Sequence, residues 1–169
     1  SDPAYFVPGS ATATITIESD ELLPDLDITS MSSPTMGSPG SSITITDTTK
    51  NIGGGVADES LTQFYLSADN SIDTSDTILG SRVVPVLATG VSNTGSITVT
   101  IPEDTPGGSW YIIAEADSEQ VVLEDSEINN SYTRTIGIGP DLDITSFTVP
   151  TTASPGESIV LTDTTKNKG

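Results

Sequence analysis

The chain has 169 residues, of which 34% are hydrophobic and 5% aromatic, and 24 Asp and Glu against five Lys and Arg give a net charge of −19. Such a charge repels phosphate backbones and anionic lipid surfaces, so nucleic acid and membrane insertion are not expected. The absence of cysteine and histidine excludes disulfides, Cys/His zinc sites and histidine-dependent catalysis. Any metal must therefore bind to oxygen ligands.

The first 23 residues begin irregularly and then give the segment ATATITIE at 11–18. Its alternation of Thr and Ile is typical of a half-buried strand. We interpret residues 1–23 as a lead-in segment or as the last strand of a preceding module.

Residues 24–139 contain seven short segments with a strand pattern, separated by loops rich in Gly, Pro, Ser and Asp. The predicted strands include Leu26, Ile28 and Ser30; Ile43 and Ile45; Phe64 and Leu66; Ile78–Val86; Ile97, Val99 and Ile101; Trp110–Glu115; and Tyr132–Ile138. No helical period occurs anywhere. The pattern predicts an all-β, immunoglobulin-like antiparallel β-sandwich of about seven strands.

Two segments predict where strands lie in the sheets. Pro85 cannot donate a hydrogen bond to a neighbouring strand, so it indicates a sheet edge or a strand end. Residues 110–115, WYIIAE, are apolar on both faces, which favours a central strand. We expect the core to depend on Trp110, Phe64 and the Ile and Val residues.

The end of the chain repeats its beginning. Residues 140–169 match residues 24–53 at a constant offset of 116, and 21 of the 30 positions are identical. We therefore predict a tandem repeat in which 24–139 is a complete module and 140–169 is the first two strands of the next. Because two strands cannot bury a core alone, the second copy either continues in a longer array or is completed by a neighbouring subunit.

Several short motifs carry a family resemblance. They are PDL at 24–26, SPG at 38–40, KN-x-G at 50–53, FYLSAD at 64–69, the Asp73-x-x-Asp-x-x-Leu-Gly80 pattern, IP at 101–102 and the acidic segment from Asp117 to Asn130. Together they resemble the bacterial and archaeal CARDB modules (cell-adhesion-related domain found in bacteria). The resemblance implies an extracellular immunoglobulin-like fold, tandem copies in surface or secreted proteins, a role in adhesion or spacing, and no catalytic residues.

Two acidic loops are candidate calcium sites, because calcium prefers clustered oxygen ligands. The candidate ligands are Asp69, Asn70, Asp73 and Asp76 in the first loop and Asp117, Glu124, Glu127 and Asn129 in the second. Alternatively, both loops are solvated turns in which Asp and Asn bond their own backbone. If the strands run up and down, the loops lie at opposite ends of the module, and cations would bridge one module to the next.

These observations favour a non-catalytic structural or adhesion module of an extracellular surface array or filament. Its expected partners are neighbouring copies of the same module, with surface glycans or proteins as further candidates. Strands donated between subunits would be one way to assemble a filament. The alternative function is an ancillary carbohydrate-binding module, for which Tyr5, Phe6, Tyr65 and Tyr132 are the candidate aromatics.

Overall fold

The computed structural model describes residues 21–140 and 142–167, so the segment ATATITIE lies outside the described residues. The described chain is all β. Its strands are β1 (Leu26–Ser32), β2 (Met36–Gly37), β3 (Ser42–Asn51), β4 (Ser60–Ser67), β5 (Thr77–Val84), β6 (Ser92–Thr100), β7 (Gly108–Glu115), β8 (Ser131–Ile138), β9 (Leu142–Thr148) and β10 (Thr162–Asn167). In this part of the chain, no helix could span a membrane.

The first eight strands form two sheets that pack as a sandwich. One sheet has the order β1-β3-β6 and the other has the order β2-β8-β7-β4-β5. The chain crosses between the sheets after β1, β2, β3, β5 and β6, and crossings of this kind are typical of immunoglobulin-like sandwiches. The seven predicted strands correspond to β1 and β3 to β8, so the predicted fold class is confirmed.

The sheets are antiparallel except at one edge. The two-residue strand β2 runs parallel to the end of β8, with Met36 opposite Gly137 and Gly37 opposite Ile138. The Gly139 N–H extends this pairing by donating to the Gly37 carbonyl at 3.0 Å. The end of the module is thus bonded to the segment that directly follows β1.

The core lies between the sheets and follows the predicted alternation. Ile28, Ile45, Phe64 and Ile136 are almost completely buried, whereas Trp110 is only half-buried at the core rim. The prediction of an inward Ser30 is wrong, because a bulge between Ile28 and Ser30 shifts the register. Met31 takes the inward position instead.

The strand positions predicted for Pro85 and for residues 110–115 are confirmed. β5 is an edge strand that ends at Val84, and β7 lies between β4 and β8.

The outer face of the three-stranded sheet carries hydroxyl pairs across β3 and β6. These are Thr44 with Thr98 at 3.2 Å, Thr46 with Ser96 at 2.8 Å and Thr48 with Thr94 at 2.8 Å.

A buried ion pair joins the two sheets. Arg82 of β5 donates to both carboxylate oxygens of Asp47 on β3, each at 2.5 Å, and to the side-chain oxygen of Asn93 on β6 at 2.7 Å. Asp47 also accepts a hydrogen bond from the Thr49 hydroxyl at 3.1 Å. Both side chains are enclosed, so removing one of them would leave the other as a buried charge without a counter-ion.

The β9–β10 hairpin reproduces the β1–β3 hairpin. Leu142 pairs with Asn167 as Leu26 pairs with Asn51, and the same bulge recurs one residue beyond Ile144. The two hairpins differ in burial. Ile144 is 61% exposed and Phe147 is 64% exposed, whereas their counterparts Ile28 and Met31 are 1% and 4% exposed.

Candidate functional site

The first acidic loop, residues 68–76, is built from local turns. Asp69 accepts a hydrogen bond from the Ser71 N–H at 2.8 Å. Asp73 accepts two from Ser75, one from its hydroxyl at 2.6 Å and one from its N–H at 2.7 Å, and these bonds lower the pKa of Asp73. Asp76 in turn accepts the Asp73 N–H at 2.9 Å. The structure thus shows the backbone-bonded turns of the alternative interpretation.

The second acidic loop, residues 116–130, begins with a tight turn around Asp117. This residue is buried and has a φ of 46°, a left-handed conformation that Asp tolerates. Its carboxylate accepts the N–H groups of Val121 at 3.3 Å and Val122 at 2.9 Å. Asp117 therefore shapes the loop through backbone bonds.

Farther along this loop, Glu124 reaches the start of the module. Its buried carboxylate accepts hydrogen bonds from the Leu26 N–H and, at 3.2 Å, from the Asn130 side chain. Glu127 accepts from the same Asn130 amide at 3.4 Å, and Asn129 donates to the Asp25 carboxylate at 2.8 Å. Burial, joined by the nearby carboxylates of Glu127, Asp117 and Asp25, raises the pKa of Glu124 to about 7, although the Leu26 N–H bond acts in the opposite direction.

The start of the module, residues 23–26, is held on its other side by the triple-glycine turn at residues 53–55. The Leu23 carbonyl accepts the N–H groups of Gly54 and Gly55, each at 2.9 Å, and the Asp25 carbonyl accepts the Ile52 N–H at 2.7 Å. The Asn51 side chain accepts the Asp25 N–H at 3.1 Å. We call residues 23–26, with the bonding residues of 51–55 and 124–129, the entry clamp.

The two acidic loops meet on the outer face of the five-stranded sheet. They leave the sheet from opposite ends, as predicted, but residues of both loops line one depression of about 190 Å³: Asn70, Ser71 and Ile72 from the first, and Glu127, Ile128, Asn130 and the adjoining Ser131 from the second. Its floor includes Ile113, which is 1% exposed although it faces away from the core. The loops of a single module therefore approach each other, a proximity that the up-and-down arrangement did not predict.

Glu115 also lines this depression and binds a buried tyrosine. The Tyr65 hydroxyl donates to Glu115 at 2.7 Å and to Gln63 at 2.9 Å. Burial, together with the bond to Glu115, holds the pKa of Tyr65 above its usual range. Tyr65 is thus a structural residue and is not available as an exposed carbohydrate platform.

The other aromatic candidates divide between two situations. Tyr132 is half-buried and packs against the core, whereas Tyr5 and Phe6 lie outside the described residues. Among residues 21–140 and 142–167, Phe147 is the exposed aromatic side chain. The carbohydrate-binding alternative stays a prediction.

The candidate calcium ligands are brought together only in part. Glu124 and Glu127 both bind the Asn130 side chain, and Asn129 binds Asp25. Asn70 and Glu127 line the same depression. Asp69, Asp73 and Asp76 accept hydrogen bonds within their own turn. In the described part of the chain, no three Asp, Glu, His or Cys side chains are grouped to hold a metal ion. Two buried carboxamide oxygens, those of Asn129 and Asn130, have no hydrogen-bond partner.

Three important groups were missed in the sequence: Asp25 and Asn51 of the entry clamp, and the Arg82–Asp47 pair. A signal for them existed, because Asp25, Asp47 and Asn51 recur in the second copy as Asp141, Asp163 and Asn167. Asp and Asn side chains that are retained in both copies of a repeat indicate a structural role. Arg82 lies outside the repeated stretch, so no comparable signal marked it.

Fold and site together define a small immunoglobulin-like module whose polar residues mainly hold its own start and join its sheets. The CARDB family model matches residues 23–134, and the chain belongs to this cell-adhesion-related domain family. Among curated proteins, none matches the chain in sequence.

Solved structures share the fold. A CARDB domain of Pyrococcus furiosus, crystallised in complex with di-metal ions, is similar with a TM-score of 0.53 and 22% identity, over 69% of this chain and 94% of that one. A domain of a putative cell surface protein of Methanosarcina acetivorans is similar with a TM-score of 0.51 and 22% identity, over 69% and 92% of the two chains. In both cases the match spans nearly the whole of an isolated domain.

Proposed function

We propose that the protein is a non-catalytic structural module of an extracellular array or stalk on a bacterial or archaeal surface, where it serves in adhesion or as a spacer. The observation that carries this proposal is the β9–β10 hairpin, which repeats the register of β1–β3 while its apolar face is bare. Repetition of one module along a chain is how extended proteins gain length. The family and the surface-protein name of the Methanosarcina relative support the location.

The hairpin also indicates what covers it. In the first module the corresponding face packs on the five-stranded sheet, and Asp47 meets Arg82. Asp163 occupies the place of Asp47 and accepts the Thr165 hydroxyl at 2.9 Å, as Asp47 accepts that of Thr49. The covering surface must therefore supply both an apolar sheet and a cation opposite Asp163.

A sheet like β2-β8-β7-β4-β5 meets both requirements. In a second copy of this chain, that sheet is already covered by its own β1 and β3. Strand donation would thus have to displace an equivalent hairpin, with no gain in buried area. We therefore propose that the covering strands belong to the same polypeptide.

Two measurements test this function. The intact mass of the native polypeptide should exceed 17.4 kDa by at least the missing part of a module. A chain in which residues 54–139 follow Gly169 should fold as two modules, and limited proteolysis should no longer cleave within 140–169. A control with Arg82→Met in the added copy should leave the hairpin more sensitive. Continued cleavage of the completed chain, or a native mass near 17.4 kDa, would count against the proposal.

Calcium is a narrower proposal, located in the depression between the two loops. Glu115, Glu127 and Asn130 line it, and their oxygens are the ligand type that calcium prefers. The unpartnered Asn130 oxygen supports it, because buried polar atoms ordinarily find a partner, a water or an ion. The di-metal complex of the Pyrococcus domain shows that a protein of this fold can bind metal.

This site can be tested by thermal melting of the full chain with and without millimolar calcium. We expect calcium to raise the melting temperature of the wild type and of Asp73→Asn, whose carboxylate binds its own turn. Glu127→Gln should lose the increase. An increase that is lost in Asp73→Asn but kept in Glu127→Gln would place the ion elsewhere, and no increase in any variant would refute the site.

A further inference from the structure

The entry clamp leaves almost no freedom at the start of the module. Each backbone polar group from the Leu23 carbonyl to the Leu26 N–H has a partner. The Leu23 carbonyl accepts from Gly54 and Gly55, and the Pro24 carbonyl accepts from the Asp125 N–H. The Asp25 N–H donates to the Asn51 side chain, and the Asp25 carbonyl accepts from the Ile52 N–H. Leu26 donates to Glu124, and Pro24 has no N–H to satisfy. The segment is held as firmly as a paired strand.

Backbone contact strengthens this hold. A Cβ atom placed on Gly53 would lie 2.5 Å from the Pro24 carbonyl carbon and 2.6 Å from the Leu23 oxygen. Real Cβ atoms essentially never come so close, so the turn and the entry segment touch backbone to backbone. Glycine at this position is a condition of the clamp.

The end of the module is held equally closely. Ile138 is the buried last residue of β8, and the next residue, Gly139, donates its N–H to the Gly37 carbonyl at 3.0 Å. At the repeat offset of 116, Gly139 takes the place of Leu23, and Pro140 and Leu142 take those of Pro24 and Leu26. Leu142 also keeps the pairing with Asn167 that Leu26 has with Asn51.

We propose that consecutive modules meet at Gly139 with no linker between them, so that the entry clamp of the second module grips the residue that ends the first. The N–H of Gly139 belongs to the first module, and its carbonyl, in the place of the Leu23 carbonyl, accepts the glycine turn of the second. This inference rests on the tandem arrangement proposed above. It identifies the interaction partner of the module end as the triple-glycine turn of the next copy.

Only the two torsions at the Gly139 Cα then remain between the modules. The φ of Gly139 is 127°, which favours glycine, whereas Leu23 has no positive φ. Gly139 therefore sets the direction in which the next module leaves. A flexible linker behaves differently, because its ends move apart roughly with the square root of its length.

The experiment uses a tandem chain in which a second copy of residues 24–139 directly follows Gly139, which keeps the Gly-Pro-Asp-Leu junction. Isolated domains of this fold have been solved, so each copy is a complete folding unit. Because the chain has no cysteine, Asp104→Cys in both copies places one spin label on each module. Asp104 is exposed on a loop at the exit end of the module, far from the entry clamp of its own copy.

Electron–electron double resonance should give a narrow distance distribution for this junction. Inserting Gly-Gly after Gly139 should broaden it about twofold. Gly53→Ala in the second copy should also broaden it, whereas the same substitution in the first copy, which lies away from the junction, should not. Thermal melting establishes that each variant remains folded, and if Gly53→Ala unfolds a copy, the insertion alone decides.

A native-junction distribution as broad as that of the Gly-Gly insertion would overturn the inference. That result would leave the proposed function intact, because a flexible array is still an array. Conversely, a native polypeptide of 17.4 kDa would refute the array but not change the behaviour of the tandem chain. The two failures are therefore distinguishable.

Discussion

The β1–β3 and β9–β10 hairpins place matching residues in the same register, but only the first has a sheet that covers its apolar face. Their turns agree as well, because Gly40 and Gly156 have φ values of 75° and 85°. The residue after each glycine donates its N–H to the carbonyl three residues earlier, at 3.0 Å in both turns. Register thus follows from the turn, the bulge and cross-strand contacts. Burial requires the five-stranded sheet, most of whose strands come later in the chain, from β4 onwards; Arg82 of β5, for example, lies 35 residues from Asp47.

The largest expected difference between the hairpins lies at their aspartates. Asp47→Ala leaves the Arg82 guanidinium enclosed without its carboxylate, which should lower the free energy of unfolding by about 3–5 kcal/mol. Asp163→Ala, at the exposed position, should change it by less than about 0.5 kcal/mol. Urea unfolding followed by Trp110 fluorescence measures both, and equal effects would show that the ion pair does not hold the sheets.

The apolar positions should give the next largest difference. Ile28→Ala removes a core side chain and should cost about 2–4 kcal/mol, whereas Ile144→Ala should cost less than about 0.5 kcal/mol. In the chain completed with residues 54–139, Ile144→Ala should become as costly as Ile28→Ala. An unchanged, small effect in the completed chain would mean that the second hairpin stays uncovered.

The smallest expected effect on stability concerns Glu124, which binds the start of the β1–β3 hairpin through the Leu26 N–H. Its pKa of about 7 lies above the ordinary value of 4.5, so the folded chain binds a proton that the unfolded chain releases between these values. This proton's contribution to the free energy of unfolding is fully present below pH 4.5 and is lost as the pH rises through 7. We expect the loss to be on the order of 1 kcal/mol, because solvent near the loop screens the interaction.

Melting temperatures across pH 4 to 8 would follow this titration. Glu124→Gln should flatten the decline, because the amide does not ionise, while Glu119→Gln on the exposed part of the same loop should keep it. A decline that persists in Glu124→Gln would assign the titration to another group.

Much of the fold could be predicted because its information is local. Alternation placed Ile43, Ile45, Ile97 and Val99 correctly, and Pro85 indicated the end of an edge strand. Ser30 was misplaced because a bulge adds a residue that a strict period of two cannot accommodate.

The site could be predicted only in outline. The acidic loops were recognised by composition, but the partner of each side chain depends on three-dimensional proximity: Glu124 meets Leu26 and Asn129 meets Asp25 across about a hundred residues. Local turns around Asp73 and Asp117 were foreseeable as the alternative to calcium. Arg82 resembled an ordinary surface residue because nothing nearby in sequence marks Asp47 as its partner.

The short parallel pairing of β2 with β8 has a mechanical consequence for any stalk under tension. The chain enters at β1, which leads directly into β2, and leaves at the far end of β8, so the module is pulled from opposite ends. Force on parallel strands pulled in opposite directions loads their hydrogen bonds together and along the strand axis. The bonds at Gly37, Gly137 and Gly139 would then resist by shear, which requires simultaneous rupture, whereas peeling would break them one after another.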